Sequence, residues 1–583
     1  MLIHFIRRAS PVKIVLLVLT LLVSACGSSS KPEVSTGPGA NEVVTPADYP
    51  GITNAVPPAP ASGSRAGQVY NVYIQGPVTG DKIALTVFEP TTMVAGRTYP
   101  LVLYSHGLGN PRVKSADDNI NSLISAGYGV ISIDQRGHGE STGTIRVMDP
   151  DAEGQNLIAI VDWAEARLSW LAYGPSADGR DKHNLMLGSM GESYSGIMQY
   201  LLHNIDPRNR LDAIIPEIAP NDLKNALFPQ NTVKFTWDAF LFTAPTVTTR
   251  SFDPYVTNEF ISGLLANQAS ASFNDFLYYH SNQYFCDSIP VATNGGAGTV
   301  PKYAPKPGPL VHAMIFQGVR DTLFNLSEGI QNYNCLKSLG GDVRLLSFQS
   351  GHNNMQFVPD LGNRLYFPPG NEFDTSCGSI AIIDARRKFF DEHLKGITGA
   401  ANTIPKDPCL SIAQGDAVTV RKIMTKDSGS ETAVVVPDTT VIAGMGLDTP
   451  VSVDLGIVGG TEDTIVAGVP HLEVIVTPVT SGLGEPVVLV GLGQTHNGVP
   501  GAYDLINNQL QPLRGDGTFN IDLVGIAARL KKGDHLALLF YGMSSQFLAS
   551  GSINVASPAI VPVTIKGKVW VPVLPEDGFK TVQ

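Results

Sequence analysis

Ser193 lies in the stretch LGSMGESYSG, residues 187–196, where a hydrophobic run gives way to small residues. A serine hydroxyl becomes a strong nucleophile only when a base takes its proton, an acid orients that base and donors face the developing oxyanion. Gly191, Ser195 and Gly196 are small enough for the sharp strand-to-helix turn that presents such a serine at the edge of a sheet. Because Ser195 replaces the last glycine of the G-x-S-x-G pattern, the motif alone could also mark an ordinary glycine-rich loop.

An acid and a base follow Ser193 in the order expected of a hydrolase built on this turn, which is nucleophile, acid, base. Asp321 lies in GVRDTLF and His352 in QSGHNN, each just past a predicted buried strand. Three side chains at the carboxyl ends of parallel strands can converge. The alternative for Asp321 is an ordinary cap of the helix predicted to begin at Leu326. We expect Ser193, Asp321 and His352 to be the catalytic residues.

Candidate oxyanion donors are backbone amides on two turns. HGLG follows the strand that ends at Ser105, so the amide of Leu108 could join that of Tyr194 in facing the oxyanion. His106 lies on the wrong loop to be the base, and we expect it to shape this turn. Asp134 and Arg136, in DQRGHGES, are expected to brace the turn after the next strand.

These residues require a sheet that presents its strand ends together, and hydrophobic periodicity predicts one over residues 65–405. Predicted strands alternate with predicted helices, which is typical of a mostly parallel α/β sheet covered on both faces. The predicted strands span residues 69–75, 82–88, 101–105, 129–133, 185–188, 212–218, 310–317 and 344–348. The predicted helices span residues 115–126, 151–167, 194–203, 326–339 and 380–395.

Two further segments depart from this alternation of strands and helices. Residues 221–308 contain 15 Phe, Tyr or Trp residues and are too long for a plain loop, so they predict a cap insertion with structure of its own. Its aromatic residues could form the insertion's own core, line a substrate pocket, or do both. Residues 410–583 contain short β-rich runs separated by Gly, Pro, Asn and Asp, which predict an antiparallel β-sandwich domain.

The first 26 residues have the layout of an export signal. Arg7, Arg8 and Lys13 precede the apolar run IVLLVLTLLV, and VSAC ends at Cys26. This segment resembles a bacterial lipobox, in which the cysteine is lipidated; the alternatives are a plain secretory signal or a short anchor helix. Residues 27–64 predict a flexible tether. The resemblance implies an exported lipoprotein of the bacterial cell envelope, in the periplasm or at the cell surface, with the outer membrane as one candidate site.

Composition and cysteine count limit the classes of protein to which this chain can belong. A chain of 583 residues with 43% hydrophobic and 16% charged residues indicates a globular protein of two or three domains. The net charge of −12 argues against a nucleic-acid partner. Export would allow two disulfides among four cysteines, with three possible connectivities: Cys286, Cys335, Cys377 and Cys409. No Cys-x-x-Cys motif or Cys/His cluster predicts a metal site, no cofactor is indicated, and the oligomeric state is not readable.

HGLG, DQRGHGES, GESYSG, GVRDTLF and SGH occur in this order and resemble the α/β-hydrolase superfamily over residues 65–400. With the insertion and the C-terminal β domain, the chain resembles the X-prolyl dipeptidyl peptidase and cocaine-esterase-like family. The resemblance implies a serine hydrolase with a C-terminal jelly roll. Members of that family often use a tyrosine side chain as an oxyanion donor, where this chain has His106-Gly107-Leu108, as lipases and simple esterases do.

The expected activity is cleavage of an apolar acyl or aryl ester through an acyl-enzyme. One alternative is an X-prolyl dipeptidyl aminopeptidase, which would need a carboxylate in the cap to hold the free amino group of the substrate. The candidates for that carboxylate are Asp238, Asp253, Glu259 and Asp275. An alternative of another class is an inert, surface-anchored binding protein whose β domain binds carbohydrate.

Overall fold

The computed structural model describes residues 53–60, 63–78, 80–248, 252–295, 300–352, 356–358, 364–366, 375–428, 432–460, 464–480, 484–495, 499, 501–547 and 560–582. The predicted signal segment, Cys26 and most of the predicted tether lie outside these residues. Within them, no helix combines the length and the apolar character needed to cross a membrane.

The centre of the chain is an 11-stranded sheet in the order β1-β2-β4-β3-β5-β6-β7-β8-β9-β10-β11. The seven consecutive strands of this order that begin with β4 and end with β9 are joined by six parallel pairings. The remaining pairings, at both edges of the sheet, are antiparallel. The strands are β1 Val69–Gln75, β2 Lys82–Phe88, β3 Leu101–Ser105, β4 Gly129–Ile133, β5 Leu187–Glu192, β6 Leu211–Glu217, β7 His312–Gly318, β8 Val343–Phe348, β9 Cys409–Ala413, β10 Asp416–Val420 and β11 Phe579–Val582.

Helices cover both faces of this sheet, which explains why its central strands are buried along nearly their whole length. One face packs against α2 Glu153–Arg167, α3 Tyr194–Ile205 and α9 Leu326–Ser338. The other face packs against α1 Asp118–Ser125 and α10 Ile382–Lys395. The prediction of a mostly parallel α/β sheet is confirmed.

The insertion forms a helical cap. Its helices are α4 Leu223–Leu227, α5 Phe235–Thr248, α6 Pro254–Ala266, α7 Ala271–Tyr279 and α8 Asn282–Asp287, with a short 3-10 turn at Pro229–Asn231. Rings of Phe260, Phe273 and Phe276 pack against one another at centroid distances of 5.6 and 5.7 Å. The aromatic residues therefore supply the cap with a core of its own.

The C-terminal β domain is a sandwich of antiparallel sheets around one apolar core. One sheet has four strands in the order Thr432–Ala443, Val561–Val571, His471–Pro478 and Gly517–Asp522. The other contains Pro450–Val458, His535–Tyr541, Val487–Thr495, Tyr503–Leu505 and Gln511–Arg514. A two-stranded ladder pairs Thr464–Gly468 with Ile526–Leu530.

The central sheet includes strands that were predicted to belong to the β domain. Strands β9, β10 and β11 belong to the central sheet, although β10 and β11 lie wholly inside the predicted β domain of residues 410–583. The end of the chain thus returns from the sandwich to extend the central sheet by one strand. A domain boundary at residue 410 would cut through β9 and separate it from β8, with which it pairs.

Two disulfides select one of the three possible connectivities. Cys286 is bonded to Cys335, which joins cap helix α8 to α9 beside the central sheet. Cys377 is bonded to Cys409, at the start of β9. Each bond therefore ties an excursion of the chain back to the central fold.

Candidate active site

Ser193 occupies a strained turn between β5 and α3. Its backbone has φ 54° and ψ −114°, a conformation that residues other than glycine rarely adopt. The amide of Ser193 donates a hydrogen bond of 2.9 Å to the carbonyl of Glu217 on the neighbouring strand β6, which holds the turn in place. The strain and its support are those of a turn that lifts a serine side chain above the carboxyl edge of a sheet.

The small residues around Ser193 are required by close contacts. Gly191 has φ 140°, and a Cβ there would collide with the side chain of Ser195. A Cβ on Gly196 would collide with Cβ of Ala219. Ser195 can replace the glycine of the strict pattern because Gly191 leaves room for its side chain, which is fully buried.

The structure brings Ser193, His352 and Asp321 together in one hydrogen-bonded chain. The distance from Nε2 of His352 to Oγ of Ser193 is 2.9 Å, and that from Nδ1 of His352 to Oδ2 of Asp321 is 2.8 Å. A carboxylate can only accept, so Nδ1 carries the ring proton, and Nε2 is left to accept the hydroxyl proton of Ser193. All three residues are buried, at 5%, 3% and 0% exposure respectively.

Asp321 is fixed by its own loop and is not the cap of the following helix. Its second carboxylate oxygen, Oδ1, accepts hydrogen bonds from the amides of Leu323 and Phe324 at 2.8 and 2.9 Å. The N-cap of α9 is Asn325, whose side chain accepts from the amide of Ser327. The alternative interpretation of Asp321 as a helix cap is therefore wrong.

Two aromatic rings pack against the imidazole of His352. The ring of Phe324 is perpendicular to it at a centroid distance of 5.1 Å, and that of Trp237, from cap helix α5, is nearly perpendicular at 5.8 Å. The indole N–H of Trp237 also donates to Oγ1 of Thr322 at 2.9 Å. The cap and the acid loop, residues 318–324 around Asp321, together therefore restrict the orientation of the imidazole.

His106 shapes the turn that carries Leu108. Its Nε2 accepts a hydrogen bond from the amide of Gln135 at 3.1 Å, and its Nδ1 donates to the carbonyl of Gly107 at 2.9 Å. Burial lowers the pKa of His106 to about 4, so the ring is neutral near pH 7. The turn after β4 is braced similarly, because Asp134 pairs with Arg112 and Arg136 pairs with Asp81.

A pocket opens at Ser193, between the hydrolase domain and the cap. Leu108 and Tyr194 line it together with Ser193, so the two turns predicted to carry oxyanion donors border the same space as Ser193. The cap contributes Leu223, Leu227, Leu241, Phe252 and Phe260, and the hydrolase domain contributes Val147, Ile197 and Phe324. Apart from Ser193 and Tyr194, the described lining residues are all apolar.

The four cap carboxylates considered for binding an amino group are absent from the described lining of this pocket. Asp253 caps α6 by accepting from the amide of Tyr255, and Glu259 accepts a hydrogen bond from Ser270 at an exposed site. Asp238 is fully buried, and neither of its carboxylate oxygens has a hydrogen-bond partner among the described residues. Asp275 lies on α7.

A buried lysine lies between the cap and the acid loop. Nζ of Lys234 donates to the carbonyl of Leu323 at 3.0 Å. Burial lowers the pKa of Lys234 to about 8, against the opposing effect of the carboxylates of Glu328, Asp321 and Asp238. Burial likewise raises the pKa of Asp238 well above its ordinary value, with Lys234 opposing the shift.

Comparison with known proteins gives the fold. A model of the family described as X-Pro dipeptidyl-peptidase (S15 family) matches residues 79–354. A CocE/NonD family hydrolase from Staphylococcus aureus superposes with a TM-score of 0.55 at 12% identity, covering 91% of this chain and 99% of that one. The chain has the fold of the CocE/NonD family hydrolases.

Two further solved structures share the CocE/NonD fold over nearly their whole length. An alpha-amino acid ester hydrolase superposes with a TM-score of 0.58 at 13% identity, covering 91% of this chain and 100% of that one. An aminopeptidase from a marine sediment archaeon, Thaumarchaeota archaeon, gives 0.57 at 11% identity, covering 91% and 99%. A search of the curated proteins finds no significant match.

Sequence reasoning singled out five residues. The structure places Leu108, Ser193 and Tyr194 in the lining of one pocket. It joins His352 and Asp321 to Ser193 in one hydrogen-bonded chain. Sequence reasoning did not single out the residues that hold them. Trp237 was visible only as one of many aromatic residues in the insertion, and Lys234 carried no signal at all. Both lie in or just before α5, whose packing against the acid loop depends on the tertiary fold.

Proposed function

We propose that this protein is a serine hydrolase that cleaves esters of apolar carboxylic acids through an acyl-enzyme. The observation that carries this proposal is the hydrogen-bonded chain of Ser193, His352 and Asp321, in which Ser193 lines an apolar pocket. The catalytic roles follow from the geometry, because each proton has a defined donor and acceptor.

Ser193 Oγ would attack the ester carbonyl carbon while Nε2 of His352 takes its proton. The resulting imidazolium is stabilised by Asp321, and the oxyanion faces the backbone amides of Leu108 and Tyr194. His352 then gives the proton to the departing alcohol, leaving the acyl group on Ser193. A water molecule, deprotonated by His352, hydrolyses this ester and restores the free serine.

The pocket supports an apolar acyl group as the part of the substrate that enters the cap. Eight of its described lining residues are aliphatic or phenylalanine side chains, and Leu108 adds another. Burying a charged or strongly polar group there would cost its hydration without providing partners. An apolar acyl chain gains about 0.8 kcal/mol for each methylene that it buries.

An X-prolyl dipeptidyl aminopeptidase is the second candidate, and the match of residues 79–354 to the S15 family model favours it. That activity needs an anion for the substrate's ammonium group. The described lining of the pocket offers none, which supports the ester over the peptide. An inert binding protein is a weaker candidate, because the strain at Ser193 and the intact hydrogen-bonded chain have no use in it.

The test is a side-by-side measurement of p-nitrophenyl ester turnover, from acetate to palmitate, and of Ala-Pro p-nitroanilide turnover. The proposal expects ester turnover that Ser193→Ala lowers on the order of 10⁶-fold. Turnover of the anilide above that of every ester would establish the peptidase instead. Absence of both activities, with normal folding, would contradict a hydrolase of either kind.

We further propose that the protein is exported and anchored by a lipid on Cys26. The bonds Cys286–Cys335 and Cys377–Cys409 support an oxidising compartment, since such bonds are rare in the cytosol. Mass spectrometry of the mature N-terminus from a bacterial host tests this directly. A diacylglyceryl Cys26 is expected, and an unmodified chain cleaved elsewhere would contradict it.

A further inference from the structure

The acid loop, defined as residues 318–324, is held from outside the hydrolase domain. Gln509 of the β domain reaches into it and donates through Nε2 to the carbonyls of Val319 and Asp321, at 3.0 and 2.9 Å. Both partners are acceptors, so the amide nitrogen must face the loop. Asp321 is therefore fixed through its backbone by one domain and through its side chain by the amides of Leu323 and Phe324.

The β domain presents Gln509 on a well-supported turn. Gln509 ends the 3-10 turn Ile506–Asn508 and is 4% exposed. The side chain of Asn507 accepts from the amide of Ala527 at 2.8 Å, and Gln546 donates to the carbonyl of Asn508 at 2.9 Å. These bonds fix the turn within the β domain, so contacts inside that domain hold Gln509 in its position next to the acid loop.

We propose that Gln509 is a positioning residue for Asp321, so that the C-terminal β domain forms part of the hydrolytic machinery. The inference rests on the proposed function of the Ser193, His352 and Asp321 chain. Gln509 touches neither the substrate nor the reacting atoms. It acts by setting where the Asp321 carboxylate stands, and a displacement of about 1 Å in a catalytic group can cost up to about 100-fold in rate.

The test replaces Gln509 by methionine, which has a similar length and no donor. We expect kcat for p-nitrophenyl butyrate, per active site titrated with a fluorophosphonate, to fall about tenfold or more with KM within about twofold. The acidic limb of the kcat/KM profile should move to lower pH, because a displaced Asp321 stabilises the imidazolium less. A merely structural role would lower the titrated fraction and leave kcat per site and the pH profile unchanged, which would overturn the proposal.

Ser327→Ala is the matched control. The hydroxyl of Ser327 accepts a hydrogen bond from the amide of Gly525 at 2.8 Å. The substitution therefore also removes one hydrogen bond between the hydrolase and β domains, but this bond lies outside the acid loop. It should leave kcat and the pH profile unchanged. If Gln509→Met does not fold, Gln509→Asn, whose amide is one methylene too short, should show a smaller change in the same direction.

A readout without substrate separates this inference from the proposed function. The Nδ1 proton shared by His352 and Asp321 should give a far-downfield proton NMR signal that is missing in His352→Ala. Gln509→Met should broaden or abolish this signal while Ser327→Ala preserves it, whether or not the protein hydrolyses the ester. An unchanged signal in Gln509→Met would overturn the proposal even if the esterase activity is confirmed.

Discussion

The indole of Trp237 stands nearly perpendicular to the imidazole of His352, with 5.8 Å between the ring centres. The same indole donates its N–H to Thr322 in the acid loop. A residue of the cap therefore contacts the proposed base directly and holds the loop that carries the proposed acid. The cap lines the pocket and also packs against the proposed catalytic groups.

Trp237→Phe tests this contact. The smaller ring loses the hydrogen bond to Thr322 and leaves a gap beside His352. We expect the free energy of unfolding to fall by about 1–3 kcal/mol and kcat to fall several-fold. The measurements are urea denaturation and ester kinetics on the same preparations.

Trp163→Phe is the control for that substitution. Trp163 is also buried and donates its indole N–H to a carbonyl, that of Asn54, but it lies on α2 away from the pocket. It should lose a comparable amount of stability and keep its kcat. An equal loss of kcat in both variants would show that Trp237 acts only through stability.

Asp321→Asn should lower kcat by about 10⁴-fold while the protein remains folded. Its amide oxygen would accept the two loop amides, which leaves the amide N–H₂ facing Nδ1 of His352. Nδ1 of His352 must then accept a hydrogen bond, so the ring proton moves to Nε2. His352 can then no longer act as the base for Ser193. Ester kinetics at pH 7 to 9 check the prediction.

Asp238→Asn provides the comparison. Asp238 is also fully buried, and burial raises its pKa well above the ordinary value, which favours the uncharged form that an amide resembles. We expect kcat within about twofold of the parent. A loss of activity approaching that of Asp321→Asn would contradict the assignment of Asp321 as the one essential carboxylate of this region.

Lys234 should make stability depend on pH in the alkaline range. Its pKa is lowered by burial to about 8 in the folded protein, against an ordinary value of about 10.4 in the unfolded chain. Below pH 8 the charged lysine destabilises the fold in full. Between pH 8 and 10.4 the unfolded chain binds the extra proton, so the contribution of Lys234 to stability rises with pH.

The measurement is the free energy of unfolding of the parent and of Lys234→Met at pH 7 and pH 10. Lys234→Met leaves the carbonyl of Leu323 without its donor at both pH values, so only the change in the difference is informative. The parent should gain on the variant as pH rises. Lys224→Met, which removes a more exposed lysine of the same cap, controls for the loss of one charge; a constant difference for Lys234→Met would refute the prediction.

Leu241 should set the length of acyl chain that the pocket accepts. It is half-buried on α5 and lines the pocket, so its substitution disturbs the core little. Leu241→Ala should move the optimum of kcat/KM to longer p-nitrophenyl esters, by about fourfold for each methylene newly buried. Leu241→Phe should move it to shorter ones. Leu265→Ala, on the exposed side of α6, should leave the series unchanged; an unchanged series in all three variants would place the acyl group elsewhere.

The sequence predicts the strands of the hydrolase sheet well because a buried strand can be recognised from its own residues. The bounds of β1 to β4 agree with prediction to the residue, since β1 and β2 form an antiparallel hairpin and β3 and β4 are buried, mainly apolar runs. The helix predicted from Ser115 begins instead at Asp118, because the side chain of Asp117 accepts from the amide of Ile120 and takes the N-cap position. The chain order of Ser193, Asp321 and His352 was enough to place them together.

Pairing across long sequence distances was not predictable in the same way. Periodicity identified residues 417–420 as a strand, yet it could not show that this strand pairs with β9 and β11 in the central sheet. The pairing of Cys286 with Cys335 was one of three possibilities on sequence alone. Gln509 lies 188 residues beyond Asp321, and nothing in its local pattern marks the contact.

The aromatic residues of the cap show why a composition signal stays ambiguous. Phe252 and Phe260 line the pocket, whereas Phe273 and Phe276 pack inside the cap. The aromatic residues of the insertion therefore both form a core of the cap and line a pocket, and a substrate role for that pocket stays a prediction. Which residue faces which side depends on the rotation and packing of α6 and α7, which composition does not determine.

The most direct test of the central claim is the site of covalent labelling by a fluorophosphonate, measured by intact mass and by mapping the modified peptide. We predict one adduct per chain on Ser193, lost in Ser193→Ala and strongly slowed in His352→Ala. Ser195→Ala, which removes the other serine of GESYSG, should still be labelled. A folded parent that stays unlabelled, or labelling that survives Ser193→Ala, would contradict the assignment of Ser193 as the nucleophile.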